Sequence, residues 1–272
     1  MIKNENDKNP ENGKYFLIDT HAHLDMIEKK LPEEVVSEAA DSNVRYIINT
    51  GSDIEGSKQS VQFAKKFERV FATVGVHPHH ADTFSSKEIL ILENLIKENK
   101  KIVAVGETGF DYFRNPVSKT DQEQTFVMQI ELAIKNKLPI VIHDRDAHED
   151  TLRVIKKYSS EKNFRAVLHC FSGDADFALK CIEEGVFISF TGVLTFPNAK
   201  VTKEVAKIIP LEKIFLETDA PFLAPQPRRG QENYPSYVSY VAQELSFLRG
   251  MDFNEIAAAT TENANRFFGL NI

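Results

Sequence analysis

The chain has 272 residues, 42% of them hydrophobic and 27% charged, and a formal net charge of −7. This balance fits a soluble globular domain and argues against a protein that coats duplex nucleic acid with a basic surface. No apolar run approaches the roughly 18 residues of a membrane span. Two cysteines, Cys170 and Cys181, are too few for a thiolate zinc site. They read as reduced thiols of a cytoplasmic protein, with a monomer as the expected state.

Residues 1–13 are polar and lack the apolar centre of a signal peptide. They read as a flexible tail before a single domain over 14–272. Short β-branched runs then alternate with longer amphipathic stretches. Strands are predicted at 16–23, 45–50, 70–76, 102–107, 139–143, 165–169, 187–190 and 214–219. Helical spacing falls between them, as at 32–41, 57–66, 86–99, 121–136 and 176–184. Asp53 is placed to cap one helix, and Ser85 with Glu88 resembles a capping box. A proline-rich loop over 221–235 precedes two C-terminal helices, at 236–249 and 254–268. Eight alternations in a chain of this length predict a (β/α)8 TIM barrel, whose active site lies at the carboxyl ends of the strands. No Gly-rich turn supports a dinucleotide fold.

Chemistry-bearing residues fall at those ends. His21 and His23 close the first predicted strand, Glu107 the fourth, His143 the fifth, His169 the sixth and Asp219 the eighth. Side chains alternate faces along a strand, so His21 and His23 point the same way, with Asp19 one step below. Four histidines and two carboxylates are too many for one ion and enough for two divalent ions, here zinc, manganese or magnesium. Glu107 is the expected bridge. His21, His23 and Asp219 would complete one ion, and His143 and His169 the other. Imidazole ligands favour transition metals over magnesium, which prefers an oxygen-rich shell.

The motifs resemble those of the TatD-type deoxyribonucleases, within the amidohydrolase-like barrel superfamily. They are Asp19-Thr20-His21-Ala22-His23-Leu24-Asp25, Gly75-Val76-His77-Pro78, Gly106-Glu107-Thr108-Gly109-Phe110-Asp111-Tyr112, His143-Asp144-Arg145-Asp146-Ala147, His169-Cys170-Phe171-Ser172-Gly173 and Glu217-Thr218-Asp219-Ala220-Pro221. The similarity runs over nearly all of the chain from Phe16 to Leu270. It implies metal-dependent phosphodiester hydrolysis and the same six ligands. The chain departs from the family pattern at Asp144, Phe110, Gln231, Glu232 and Tyr234. By parity Asp144 points away from the barrel axis.

The expected reaction is cleavage of DNA, with exonuclease preference for single strands or frayed ends. Asp219 is the expected proton acceptor, with Glu107 the other catalytic carboxylate. Arg145, on the face of His143, matches phosphate in bidentate geometry, or pairs with Asp146 or Glu149 at the surface. His77 is either a phosphate donor or a loop histidine beside Pro78. Ser172 and Arg229 are further substrate contacts, and Asp19 and Glu217 are expected to orient ligand imidazoles or Arg145. His79 and His80 read as solvated loop residues, and His148 as a helix-surface residue. Phe196 either stacks on a base or packs in its loop. Rival readings are an amidase or lactonase acting on a small molecule, an esterase acting on misacylated tRNA, and a non-catalytic scaffold. The missing lysine between Ile102 and Gly109 argues against the first, and the intact ligand set against the last.

Overall fold

A computed structural model describes residues 15–113 and 116–272. The predicted tail, 1–13, lies outside the described residues. Eight strands form one sheet in chain order: β1 (Leu17–Ala22), β2 (Val44–Thr50), β3 (Val70–Val74), β4 (Ile102–Asp111), β5 (Ile140–Arg145), β6 (Ala166–Leu168), β7 (Phe187–Phe190) and β8 (Ile214–Leu216). Neighbouring strands pair in parallel. A parallel neighbour requires a crossover, and helices supply it. They are α1 (Pro32–Asp41), α2 (Ile54–Lys66), α3 (Ser86–Glu98), α4 (Lys119–Asn136), α5 (His148–Tyr158), α6 (Ala175–Glu183) and α7 (Lys200–Ile208). Two more, α8 (Val238–Arg249) and α9 (Phe253–Phe268), follow β8. This is a TIM barrel.

The helix starts obey local chemistry. Asp53 accepts from Gly56 N at the start of α2. Ser85 and Glu88 form a reciprocal box at the start of α3, satisfying amides that have no partner within the helix. Phe110, where the family pattern has leucine, is fully buried edge-to-face against Phe126 of α4.

Ile18, Ile48, Val103, Val141, Val167 and Phe215 from the strands cluster with Phe267 and Phe268 of α9. These strand residues precede the chemistry-bearing ones, so α9 packs over the opposite end of the barrel. Past the end of β8 an isolated parallel bridge joins Ala220 to Ala22 of β1. His23 N donates to Ala220 O (2.7 Å), and Asp219 N donates to His21 O (2.9 Å). The closure of the barrel thus fixes His21 and His23 beside Asp219.

Strand ends differ from the sequence reading. β4 runs four residues past Glu107, because after a register shift between Val105 and Thr108 it pairs with β5 through Asp111. Glu107 therefore sits within β4. His169 lies just past β6, and Asp219 lies three residues past β8 with φ +57°. Parity does not set the aim of Asp219; a left-handed turn does. Gly109 permits close contact between β4 and β5. Its φ is +142°, and a Cβ there would lie 2.1 Å from His143 O.

Candidate metal centre

The six residues singled out as ligands converge at the carboxyl end of the barrel. Glu107 stands at the middle, 4% exposed, with its two oxygens turned to different histidines. Oε1 lies 2.8 Å from both His143 Nδ1 and His169 Nε2. Oε2 lies 3.5 Å from His21 Nε2 and 3.7 Å from His23 Nε2. Asp219 Oδ1 joins the second pair, 3.7 Å from His21 Nε2 and 3.5 Å from His23 Nε2.

Partners on the far side of each ring decide which nitrogen keeps a lone pair. His23 Nδ1 is 3.0 Å from Thr50 O, which only accepts, so Nδ1 carries the proton and Nε2 is open. His143 Nε2 is 3.0 Å from Asp111 Oδ2, so its Nδ1 is open. His169 Nδ1 faces Glu217 Oε1 at 3.5 Å, an ion-pair contact rather than a hydrogen bond. His21 Nδ1 is likewise buried without a hydrogen-bond partner among the described residues. The inward nitrogens meet in pairs, His21 with His23 at 3.2 Å and His143 with His169 at 3.1 Å. Each pair adds one oxygen of Glu107, and the donor atoms of each set lie within 4.8 Å of one another. Imidazole nitrogens and carboxylate oxygens converging in this way are a donor set that fits divalent metal cations.

Without a cation, burial and mutual charge set the titration of these groups. Burial pushes Glu107 up, but the charge of His169 and bonds from His143 and His169 outweigh it, holding the carboxyl well below its usual range. Burial likewise raises Asp219, and the bond with His23 and the charges of His21 and His169 reverse it. Both are therefore carboxylates at neutral pH. Burial depresses His169, yet Glu107 and Glu217 lift it well above an ordinary imidazole. Burial lowers His21, and the charge of His169 lowers it further. His77 is pushed well below its usual value, chiefly by burial, and is neutral.

Above this floor opens a cleft of about 610 Å³. His77, Arg145 and Ser172 line it, as do His79, His80, Asp111, Asp144, Met26, Val193, Phe222 and Leu223. His77 Nε2 lies 3.6 Å from Glu107 Oε1. The Arg145 guanidinium carbon sits 3.9 Å over the Phe113 ring. Arg229 is not among the lining residues; its guanidinium carbon stacks 4.3 Å over half-buried Phe196. Glu217 accepts from Cys170 N (2.6 Å) and faces His169. Asp19 does not reach an imidazole ring nitrogen or Arg145. Fully buried, it accepts from Thr218 N and Oγ1, bracing β1 against the start of the 218–221 turn, and burial raises its carboxyl to about 8.

Two residues of the cleft carry more than their sequence context suggested. Asp111 Oδ2 accepts from His143 and also lies 3.2 Å from His79 Nε2, so His79 is held against a buried carboxylate. Counting along the strand does not find it, because a register shift and the positive φ of Gly109 interrupt β4 beside Glu107. Asp144, read as pointing away, borders the cleft with its carboxylate on His148 Nδ1 (2.7 Å). That bond and stacking on Phe177 tie His148 down. Glu232, in the departing loop, accepts from the amides of Glu28 and Lys29 and acts as a clamp between loops.

The model of the TatD related DNase family matches residues 18–269. The chain belongs to the TatD family. It is 40% identical to the uncharacterized metal-dependent hydrolase YabD of Bacillus subtilis, over 94% of this chain and all of that protein. It is 34% identical to a 3′-5′ ssDNA/RNA exonuclease TatD of Erwinia tasmaniensis, over 88% of this chain and 93% of the other. Among solved structures, the TatD homolog YJJV of Escherichia coli superposes with a TM-score of 0.87 at 29% identity, covering 93% of this chain and 98% of that one. This TatD protein is an enzyme, a metal-dependent hydrolase. No helix among its described residues is long and apolar enough to cross a membrane.

Proposed function

We propose that this TatD protein hydrolyses phosphodiester bonds of DNA, as an exonuclease preferring single strands or frayed ends. In this reading two divalent cations are held, one by His21, His23, Glu107 and Asp219, the other by Glu107, His143 and His169. The observation that carries it is the divided carboxylate of Glu107, each oxygen facing its own pair of imidazole nitrogens. The name of the Erwinia relative supports a nucleic-acid substrate. Zinc or manganese suits these donors better than magnesium. The free thiols Cys170 and Cys181 suit a cytoplasmic protein.

Cations held there would supply a lowered pKa for water and polarisation of the phosphoryl oxygens. The side chains do the rest. Asp219, ionised and partly open to the cleft, accepts the proton of the attacking water. The water oxygen attacks phosphorus, the bond from phosphorus to the leaving oxygen breaks, and that oxygen takes a proton from solvent water to leave as a hydroxyl. Arg145 holds a phosphate oxygen by its guanidinium, prealigned by the Phe113 ring. His77, neutral, donates a hydrogen bond to another oxygen. Ser172 lies at the same rim as a hydroxyl donor.

The test is incubation of end-labelled single-stranded and blunt duplex DNA with metal-reconstituted protein. A ladder from one end of the single strand, with modest salt dependence, is the expected result. Equal or faster cleavage of the duplex refutes the strand preference. Activity on an amide or ester panel without any on DNA refutes the phosphodiesterase reading.

A further inference from the structure

The walls of the cleft are chemically unlike. Because the strands follow chain order around the barrel, the loops after β7, β8 and β1 share one arc, and those after β3 to β6 share the other. The first arc contributes Val193, Phe222, Leu223 and Met26. The second contributes His77, His79, His80, Asp111, Arg145 and Ser172. One wall is thus apolar and the other polar, with the histidine floor between them.

Phe222 stands out on the apolar wall. It is 50% exposed, although burying a large aromatic ring would be favourable. Its backbone is firmly held. Phe222 N donates to Asp219 O (2.8 Å), and its carbonyl accepts from Asn233 Nδ2 (2.6 Å). Asn233 is fully buried and also bonds Thr218 O and Pro221 O. One edge of the aromatic contact is the His23 ring, edge-to-face at 6.2 Å. A half-exposed ring is therefore fixed beside the candidate metal centre.

We infer that Met26, Val193, Phe222 and Leu223 seat one nucleobase, with Phe222 stacked on its face. The inference rests on the phosphodiesterase reading above. It orients the substrate: the base lies on the apolar wall, the scissile phosphate over the histidines, and the onward backbone toward Arg145. A base inside a duplex has both faces covered by its neighbours. A terminal or unpaired base has a face to offer, so the seat favours strand ends and unpaired bases over the interior of a duplex. Stacking on an aromatic ring tolerates every base.

The experiment is a double-mutant cycle on the metal-loaded full chain. Wild type, Phe222→Ala and Phe222→Tyr are assayed on a single-stranded oligonucleotide and on the same strand with a stable abasic residue at the terminal position. Stacking is worth roughly 5- to 150-fold per base. Wild type should lose that factor in kcat/KM on the abasic strand. Phe222→Ala should lose a similar factor on the intact strand and discriminate little between the two. Phe222→Tyr, which keeps the ring, should restore the discrimination. Equal abasic penalties in wild type and Phe222→Ala would overturn the seat, and so would a Tyr variant that behaves like Ala. If wild type cleaves neither strand, the phosphodiesterase reading fails and takes the seat with it. If wild type cleaves the intact strand but the penalties are equal, only the seat fails.

Discussion

Replacing Asp111 with asparagine tests how the centre is preorganised. In the native protein Asp111 Oδ1 accepts from Phe113 N (2.9 Å) and Oδ2 accepts from His143 Nε2 (3.0 Å). Asparagine has one acceptor. If its oxygen keeps the Phe113 amide, its NH₂ faces a nitrogen that also carries a proton. Relief comes by moving the imidazole proton to Nδ1, the nitrogen facing Glu107 Oε1 at 2.8 Å. That tautomer has no lone pair to offer a cation. Loss of such an orienting carboxylate typically costs 10- to 100-fold in metal affinity or activity, about 1.4–2.8 kcal/mol. Calorimetric metal titration of Asp111→Asn should therefore show one of two sites weakened by that factor. Nitrogen-detected NMR of the metal-free protein should show the His143 proton on Nδ1. Wild-type affinity at both sites, with His143 still protonated on Nε2, would refute the reasoning. Thermal melting by circular dichroism separates this from unfolding, since Asp111 is buried.

Asp219→Asn should lower turnover at least about 10²-fold, while metal occupancy by elemental analysis falls less than in His21→Ala. Near-normal turnover with metals bound would assign the proton elsewhere. Glu217→Gln should cost about 10- to 100-fold in activity, nearer tenfold given its long 3.5 Å contact with His169. Gly109→Ala should destabilise by at least about 1–3 kcal/mol in chemical denaturation, because its positive φ and its approach to His143 O both resist a Cβ. The bond to Asp144 raises His148 above its usual 6.5, with burial opposing. A raised folded pKa stabilises fully below the unfolded value, and the gain is lost as pH rises through the folded value. His148→Gln should therefore destabilise the fold more at pH 5.5 than at pH 8.5, by no more than about 1 kcal/mol for an imidazole that stays about one-third exposed. An equal Tm change at both pH values would count against it.

The sequence by itself determined the barrel and the identity of the converging residues. Alternation of β-branched runs with helical stretches is a local pattern, and eight repeats leave few ways to bury both faces of a parallel sheet. The pair His21 and His23 was legible for the same reason, since period two is a property of any strand. Strand 187–190 and helix 32–41 matched residue for residue, whereas α5 and α7 were not singled out.

Tertiary structure decided how those residues meet. Glu107 sits at a register shift and Asp219 beyond its strand in a left-handed turn, so neither aim follows from counting residues. Asp19 and Asp144 show the same limit: parity gives a face, but neighbours across the sheet claim the carboxylate, Thr218 for one and His148 for the other. The link from Asp111 to both His143 and His79 needs β4 and β5 in register, which a single chain pattern does not encode. Nor does composition reveal that an exposed phenylalanine stands beside the histidine floor. Hydrophobic patterning fixes which elements form because it acts over a few residues. The positions of lone pairs are set by contacts between residues far apart in the chain, and only the closed barrel supplies those.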